Sequence, residues 1–383
     1  MSRTKASIDG EVLELVSSGR AVTRAEIARS LGLAPSTITG VVARLLKKGF
    51  IQEGGEAEST GGRPGAILLP TSSPNRTLVA ELGAHHARIG LADQGGVVSH
   101  IRRYELDIAD GPQRILRELL SQGEELAHAT NTQLVALGIA IPGPVDTSTG
   151  TIVGPSRMPG WNGCRVPAVL SEFTDLPVLV ENDAQIGARG EFAFRLHHAG
   201  SATSFRDFIY VKADSAIGAA LVQHGEVYRG ARGIAGDITH VRVENGGNRP
   251  CQCGNTGCLD TVASATAIRS DLAALGGNYP SNDELIAAAL DGNPEVVTMI
   301  RAAGVILGNA IARNISFLAP EALIIGGALS AVDAFIAGVR QSLHERCLHV
   351  IMEHIVIEES QSGTTAALWG LADAIPATTS HQR

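Results

Sequence analysis

Apolar side chains recur at helical spacing along the first 50 residues. Ile8, Val12, Leu13, Leu15 and Val16 share one face and predict an amphipathic helix ending near Gly19. Thr23, followed three residues later by Glu26, forms a capping box in which each side chain satisfies the other's open backbone N–H. It opens a second helix over 24–31. Ala28 and Gly32 then follow helix-turn-helix spacing: the small residue lets two helices approach, and the glycine takes the left-handed turn. Pro35 suits the first turn of a third helix, in which Ile38, Val41, Val42, Leu45 and Leu46 form one buried stripe. Its other face carries Ser36, Thr37, Thr39, Gly40, Arg44 and Lys47. Residues 50–53 and 66–69 read as two short strands joined by a glycine-rich tip that carries Arg63, the outline of a hairpin wing.

From Thr77 the pattern changes to short apolar runs. Strands are expected over 78–82 and 87–91, with a turn at 93–96 and a meander continuing over 97–106. A helix is expected over 112–129. A buried strand over 134–141 runs into Pro142-Gly143-Pro144, and another over 177–180 ends at Glu181-Asn182-Asp183. Strands over 208–212 and 221–222 follow. The last third alternates a helix over 295–317, a strand over 322–325, a helix over 332–346, a strand over 355–357 and a closing helix over 364–375. Such alternation predicts α/β lobes with ligands at strand ends. No fixed-period repeat is evident.

Composition narrows the class. A chain of 383 residues suggests two or three domains at about 150 residues each. With 44% hydrophobic and 18% charged residues it is globular, which excludes wholesale disorder. No uninterrupted apolar run reaches the length of a membrane span, and no apolar signal core follows Met1-Ser2-Arg3-Thr4-Lys5. Five cysteines are too few for a disulfide scaffold, so a cytoplasmic location is expected.

The charge is uneven. Residues 1–52 hold eight Lys/Arg and four acids, a net +4, so the remainder carries −12 of the total −8. A basic module on an acidic body points to a polyanionic partner for the module alone. The polar face of the third helix suits a DNA major groove, which makes Ser36, Thr37, Thr39, Arg44 and Lys47 candidate contacts. Arg63 at the wing tip is a candidate for the minor groove. The competing readings are a plain three-helix bundle and, for Arg63, a solvated loop.

The strongest chemical signal is Cys251-Gln252-Cys253-Gly254-Asn255-Thr256-Gly257-Cys258, which puts three of the five cysteines within eight residues. The two glycines let the backbone fold so that three thiolates converge. A closed tetrahedral zinc site needs a fourth ligand, and His240 is the natural candidate. The alternative is incidental clustering. Cys164 and Cys347 read as small core residues.

Taken together, the helix-turn-helix with its Gly-Gly-Arg-Pro wing, Glu181-Asn182-Asp183-Ala184, Gly236-Asp237-Ile238-Thr239-His240 and Gly257-Cys258-Leu259-Asp260 resemble the ROK family (repressors, open reading frames, kinases) in its DNA-binding branch. The resemblance covers nearly the whole chain. It implies an α/β, two-lobed, actin-like (RNase H-like) sugar kinase fold behind a winged helix. It implies structural zinc on His240, Cys251, Cys253 and Cys258. It also implies a sugar between the lobes near Asn182, Asp183, Asp237, His240 and Asp260, with Asp183 at the position of the kinase general base.

Departures from the family bear on activity. Where its kinases read Asp-x-Gly-Gly-Thr, this chain has Glu81-Leu82-Gly83-Ala84-His85. The second phosphate loop, Gly-Thr-Gly-Ile-Gly, is here Asp214-Ser215-Ala216-Ile217-Gly218. Side chains stand where backbone must approach phosphate, and a carboxylate repels it, so no ATP is expected. The family's Glu-x-Gly-His and Gly-Cys-x-Glu are also altered, to Asp237-Ile238-Thr239-His240 and a motif ending in Asp260.

The expected organisation is a winged helix over 1–70, a small lobe over 71–190 with 364–383 returning to it, and a large lobe over 191–363 bearing the zinc knuckle and an oligomerisation surface. The expected function is a transcriptional regulator, a repressor of sugar-uptake or catabolic genes. It would bind a near-palindromic double-stranded operator as a dimer or tetramer and be released by a sugar or sugar-derived effector, with no membrane partner. The alternatives are a sugar kinase that kept a DNA-binding arm and a ligand-independent DNA-binding protein.

Overall fold

The computed structural model describes residues 5–17, 19–47, 50–56, 65–70, 73–154, 158–199, 205–231 and 233–379. Its first unit is α1 (Lys5–Ser17), α2 (Arg24–Leu31), α3 (Pro35–Lys47), β1 (Ile51–Glu56) and β2 (Ala66–Pro70). The capping box forms as expected: the Glu26 N–H donates to Thr23 Oγ1 at 3.3 Å, and the Thr23 N–H donates to Glu26 Oε2 at 2.9 Å. Gly32 takes φ +63°, the left-handed turn. Val12, Ile27, Ile38, Val42 and Leu45 bury a common core with Ile51 and Leu68 of the antiparallel β1–β2 pair. The Leu68 N–H donates to Val22 O at 2.7 Å, which stitches the segment before α2 to the wing strand. The wing tip with Arg63 lies outside the described residues.

The body repeats one sheet topology twice. The first half runs β3 (Asn75–Leu82), β4 (His86–Ala92), β5 (Val98–Glu105), α4 (Pro112–Ala129), β6 (Gln133–Ile141), the small hairpin β7 (Val145–Asp146) and β8 (Thr151–Ile152), α5 (Val166–Leu170) and β9 (Val178–Asn182). The helix α6 (Asp183–Ala199) leads to β10 (Phe208–Ala213), β11 (Ile217–Gln223) and β12 (Glu226–Tyr228). After these come α7 (Asp260–Ala263), α8 (Ala265–Ala274), α9 (Asn282–Leu290), α10 (Pro294–Leu318), β13 (Ala322–Gly326), α11 (Asp333–Arg346), α12 (His349–Met352), β14 (Val356–Glu359) and α13 (Ala366–Thr379).

Strand orders are 5-4-3-6-9 and 12-11-10-13-14. Each sheet is an antiparallel meander followed by two parallel strands, so β3 and β10 are equivalent central strands. Both faces of each sheet are covered, which explains the unbroken apolar runs in the sequence. In β3, Leu78, Ala80 and Leu82 join one core with Ile115 and Leu119 of α4, while Val79 joins another with Ile186 of α6 and Leu368 of α13.

Helices α6 and α13 lie between the sheets. They cross backbone to backbone: a Cβ on Gly190 would meet Ala366 O at 1.7 Å, and one on Gly370 would meet Ile186 O at 1.9 Å. Sequence periodicity did not reveal α6, because Ala184–Ala188 are buried all round and the charged Glu191 and Arg195 are buried too. Helices α8 and α9 were also unforeseen, and the meander strand expected at 221–222 extends over the whole of β11. The 25-residue α10 is long and apolar enough to cross a membrane by length and composition. Here it packs on α11 and buries Val296, Ile300, Leu307 and Ile311 in the core of the second half.

Candidate functional site

The equivalent central strands end in opposite charges. Glu81 is the penultimate residue of β3 and Lys212 that of β10. Lys212 Nζ lies 2.5 Å from Glu81 Oε1 and 2.8 Å from Asp183 Oδ2, and Arg88 Nη1 lies 2.8 Å from Glu81 Oε2. Burial alone would raise the Glu81 pKa, but Lys212 and Arg88 outweigh it and hold the carboxyl below its usual range. Burial opposes the charge on Lys212 too, and Asp183 with Glu81 holds the ammonium well above its ordinary value.

Asp183 is fixed further. Its Oδ1 accepts the Ala184 N–H at 2.8 Å. Asn182 caps α6, its Oδ1 accepting the Ala184 and Gln185 N–H groups at 3.1 and 3.0 Å, while its Nδ2 donates to Gly143 O at 2.9 Å. A cavity of about 570 Å³ opens beside these groups, and Asn182, Asp183, Lys212, Asp237, His240 and Asp260 all line it. The five residues singled out for a sugar are therefore brought to one space.

They are not equally available. Asp260 is 1% exposed, and its Oδ1 accepts the buried Ile217 N–H at 3.0 Å. Thr239, standing where the resembled family has glycine, donates its hydroxyl to Ile217 O at 2.7 Å. Asp260 and Thr239 thus grip both polar backbone atoms of Ile217. Asp237 remains exposed, with Oδ1 accepting the Thr239 N–H at 2.9 Å.

The cysteine knuckle forms one wall of the same cavity, through His240 and Cys251. One donor atom each from His240, Cys251, Cys253 and Cys258 falls within 4.8 Å of the other three. Cys253 and Cys258 Sγ are 3.7 Å apart, and Cys251 Sγ is 3.4 Å from His240 Nδ1. Bond lengths to zinc give tetrahedral edges of about 3.8 Å for S···S and about 3.6 Å for S···N, so the donor set fits a four-coordinate ion. Gly254 and Gly257 turn the chain at φ +87° and +70°. All five cysteines are free thiols. The Asn255 backbone N–H lowers the Cys253 pKa, and burial pushes Cys258 up to about 12.

Ala216, Ile217 and Gly218 of the second phosphate loop also line this cavity, and the start of the loop is braced by side chains. Asp214 Oδ1 accepts the Ser215 N–H and the Asn282 Nδ2 donor, each at 2.7 Å, and Asn282 also donates to Ser215 Oγ at 2.9 Å. Next to Asn282, Asp283 Oδ2 meets Arg103 Nη1 of β5 at 2.5 Å. The imidazole of His86 packs over Gly83, 2.8 Å from where a Cβ would stand. Burial and the neighbouring Arg88 hold its pKa below the ordinary value.

In the N-terminal unit Ser36, Thr37 and Thr39 are exposed at the start of α3. Thr39 Oγ1 donates to Pro35 O at 2.9 Å. Arg44 Nη2 pairs with Asp9 Oδ1 of α1 at 2.6 Å, so this arginine also ties two helices together. Lys47 ends α3, and its side chain lies outside the described residues. Sequence reasoning missed Lys212 and the pairing of Glu81. The signal was present: a single charge interrupts each apolar strand, in Val79-Ala80-Glu81-Leu82 and Tyr210-Val211-Lys212-Ala213.

Residues 77–377 match the ROK family, and residues 10–53 match the MarR family. The chain is 25% identical over 376 residues to the xylose repressor of Caldicellulosiruptor bescii, covering 94% of this chain and 92% of the relative. It is 27% identical over 379 residues to the DNA-binding transcriptional dual regulator NagC of Escherichia coli, covering 94% and 90%. Among solved structures, a ROK family transcriptional regulator homologous to the E. coli MLC protein superposes with a TM-score of 0.73 at 25% identity, covering 98% of each chain. A ROK family glucokinase from Streptomyces griseus in complex with glucose and AMPPNP superposes at 0.67 with 23% identity, over 78% of this chain and 98% of that one, a likeness of fold.

Proposed function

This chain belongs to the ROK family, and from that membership we propose that it is a sugar-responsive, DNA-binding transcriptional repressor acting in the cytoplasm on carbohydrate genes. The observation that sets this reading above a sugar kinase is the Lys212 bridge to Asp183 and Glu81. A general base must accept a proton from the attacking hydroxyl. Here the Asp183 carboxylate is held by an ammonium and a backbone N–H, and Asp214 and Asn282 occupy the second phosphate loop. The cleft binds a sugar without transferring phosphate to it, and kinase activity is lost.

On this reading a sugar or sugar-derived effector lies against Asn182, Asp183, Asp237, His240 and Asp260. Zinc is held by His240, Cys251, Cys253 and Cys258. Four protein donors leave it no open position, so it cross-links the knuckle and orients the His240 ring at the cavity wall. Residues 1–70 bind the operator, with Ser36, Thr37 and Thr39 toward base edges and Arg44, Lys47 and Arg63 toward the backbone and minor groove. The lobes, 71–190 with the returning C-terminal helix and 191–363, carry the effector site and the contacts of a dimer or tetramer. Two winged helices per dimer fit a near-palindromic operator. The effector lowers operator affinity because it binds one arrangement of the lobes better than the other.

A gel-shift series on DNA from the protein's own promoter region tests this. Retardation by specific DNA should weaken as salt rises and weaken again with one member of a panel that includes xylose and N-acetylglucosamine. Equal retardation of unrelated DNA contradicts the reading. So does ADP release during incubation with the same sugars and MgATP.

A further inference from the structure

Behind the cavity wall lies a second polar network that the proposed activity does not require of any binding residue. Glu181 precedes Asn182 on β9 and is 4% exposed. Arg229 follows β12, the edge strand of the other sheet, and forks onto it: Nη1 to Oε2 at 2.7 Å and Nη2 to Oε1 at 2.8 Å. Arg229 Nη1 also donates to Gln185 Oε1 at 3.2 Å. The Gln185 amide donates in turn to Gly233 O at 2.7 Å and Ala235 O at 3.3 Å. The Ala235 N–H closes the turn onto Arg229 O at 3.2 Å.

The loop that follows Arg229 carries Asp237, Thr239 and His240. It is therefore fastened to the end of β9, where Asn182 and Asp183 stand, as well as to its own sheet. A planar guanidinium forked on a carboxylate fixes both distance and angle, which a single-point ammonium does not. Arg229 itself does not line the cavity, whereas Gln185, Gly233 and Ala235 do.

We propose that Arg229, acting through Glu181 and Gln185, is the positioning residue that sets the spacing between the two halves of the effector site. This rests on the reading of that cavity as an effector site. The network makes the site preformed: Gly233 and Ala235 are held to the β9 end, and the binding groups from the two sheets stay in register.

The test uses the full-length, metal-loaded protein and three variants. Arg229→Gln removes the fork and leaves Glu181 without its partner. Glu181→Gln with Arg229→Gln removes both charges and so separates mispositioning from the cost of a stranded acid. Arg229→Lys keeps the charge and loses the fork. Hydrogen exchange of the ligand-free proteins should show amides 233–239 exchanging at least tenfold faster in Arg229→Gln and in the double variant. Exchange in Arg229→Lys should be intermediate. For whichever of xylose, glucose and N-acetylglucosamine binds the wild type, calorimetry should show affinity at least tenfold weaker in the first two variants and two- to fourfold weaker in Arg229→Lys. Operator affinity without sugar should stay within threefold.

Unchanged exchange in the double variant overturns the proposal. So does sugar affinity within twofold of wild type, or an operator affinity that falls in step with sugar affinity, which marks a general structural role. If none of the three sugars binds the wild type, the effector-site reading fails, and the exchange arm still decides whether Arg229 positions the loop.

Discussion

The loop after β12 and the ends of the equivalent strands β3 and β10 use their polar groups in different ways. On the knuckle side the groups converge on open space: Asp237 is exposed, and His240 and Cys251 form a cavity wall. On the phosphate side they are satisfied by one another: Lys212 by Glu81 and Asp183, Asp214 by Ser215 and Asn282, and Arg103 by Asp283. A polar group that the fold leaves exposed is available to a ligand, and one already paired offers less. On the proposed reading, internal pairing makes a strut of these groups while the residue at the base position stays the same.

The largest break in this contrast should come from Lys212→Met. It leaves buried Glu81 with Arg88 as its cation and takes the ammonium from half-buried Asp183, and should cost about 3 kcal/mol in urea unfolding. Adding Glu81→Gln and Asp183→Asn should recover most of that. A single variant as stable as the wild type would mean that the pairs are not a strut. Next in size is loss of the metal, by chelation or Cys258→Ser. Metal per chain, read by mass spectrometry, should fall from near one to near zero, and sugar affinity should drop about tenfold or more as His240 loses its orientation. Unchanged sugar affinity in the metal-free protein would separate the knuckle from the site.

A third effect is in pH. The Glu81 folded pKa lies below its ordinary value of 4.5, so its stabilisation is complete above about 4.5 and is lost as pH falls through the lower folded value. The Lys212 folded pKa lies above 10.5, so its share is complete below that pH and is lost as pH rises through the raised value. Between these limits the strut should be flat with pH. Wild type should lose stability in acid relative to a Lys212→Met, Glu81→Gln, Asp183→Asn variant, as measured by unfolding at pH 5, 4 and 3. Parallel curves would contradict the assignment. The smallest effect is expected from Asp283→Ala. It breaks an exposed pair with Arg103 and should cost no more than about 1 kcal/mol.

Much of this was legible in the chain. The capping box at Thr23 and Glu26, the turn at Gly32 and the helix over 112–129 were local signals, and local signals survive folding. The knuckle was legible because three cysteines and two glycines in eight residues leave few other chemistries. Helix α6 was not legible, because a helix clasped between two sheets buries Glu191 and Arg195 along with its apolar residues, and the period is lost. For the Lys212 bridge the chain marked the two charges, each interrupting an apolar run, but not their pairing. It joins residues 131 positions apart, and only the duplicated sheet topology, which has no echo in the sequence, sets their strand ends together.

The most direct measurement is fluorescence anisotropy of the metal-loaded protein on its own promoter DNA at fixed salt, titrated with sugar and then with MgATP while ADP is monitored in the same cuvette. The expected result is specific binding that one sugar weakens at least tenfold, no further change on adding MgATP, and no ADP above the protein-free control. Operator affinity indifferent to every sugar, or ADP accumulating over many turnovers, would contradict the proposal that the cleft takes a sugar and does no phosphate chemistry.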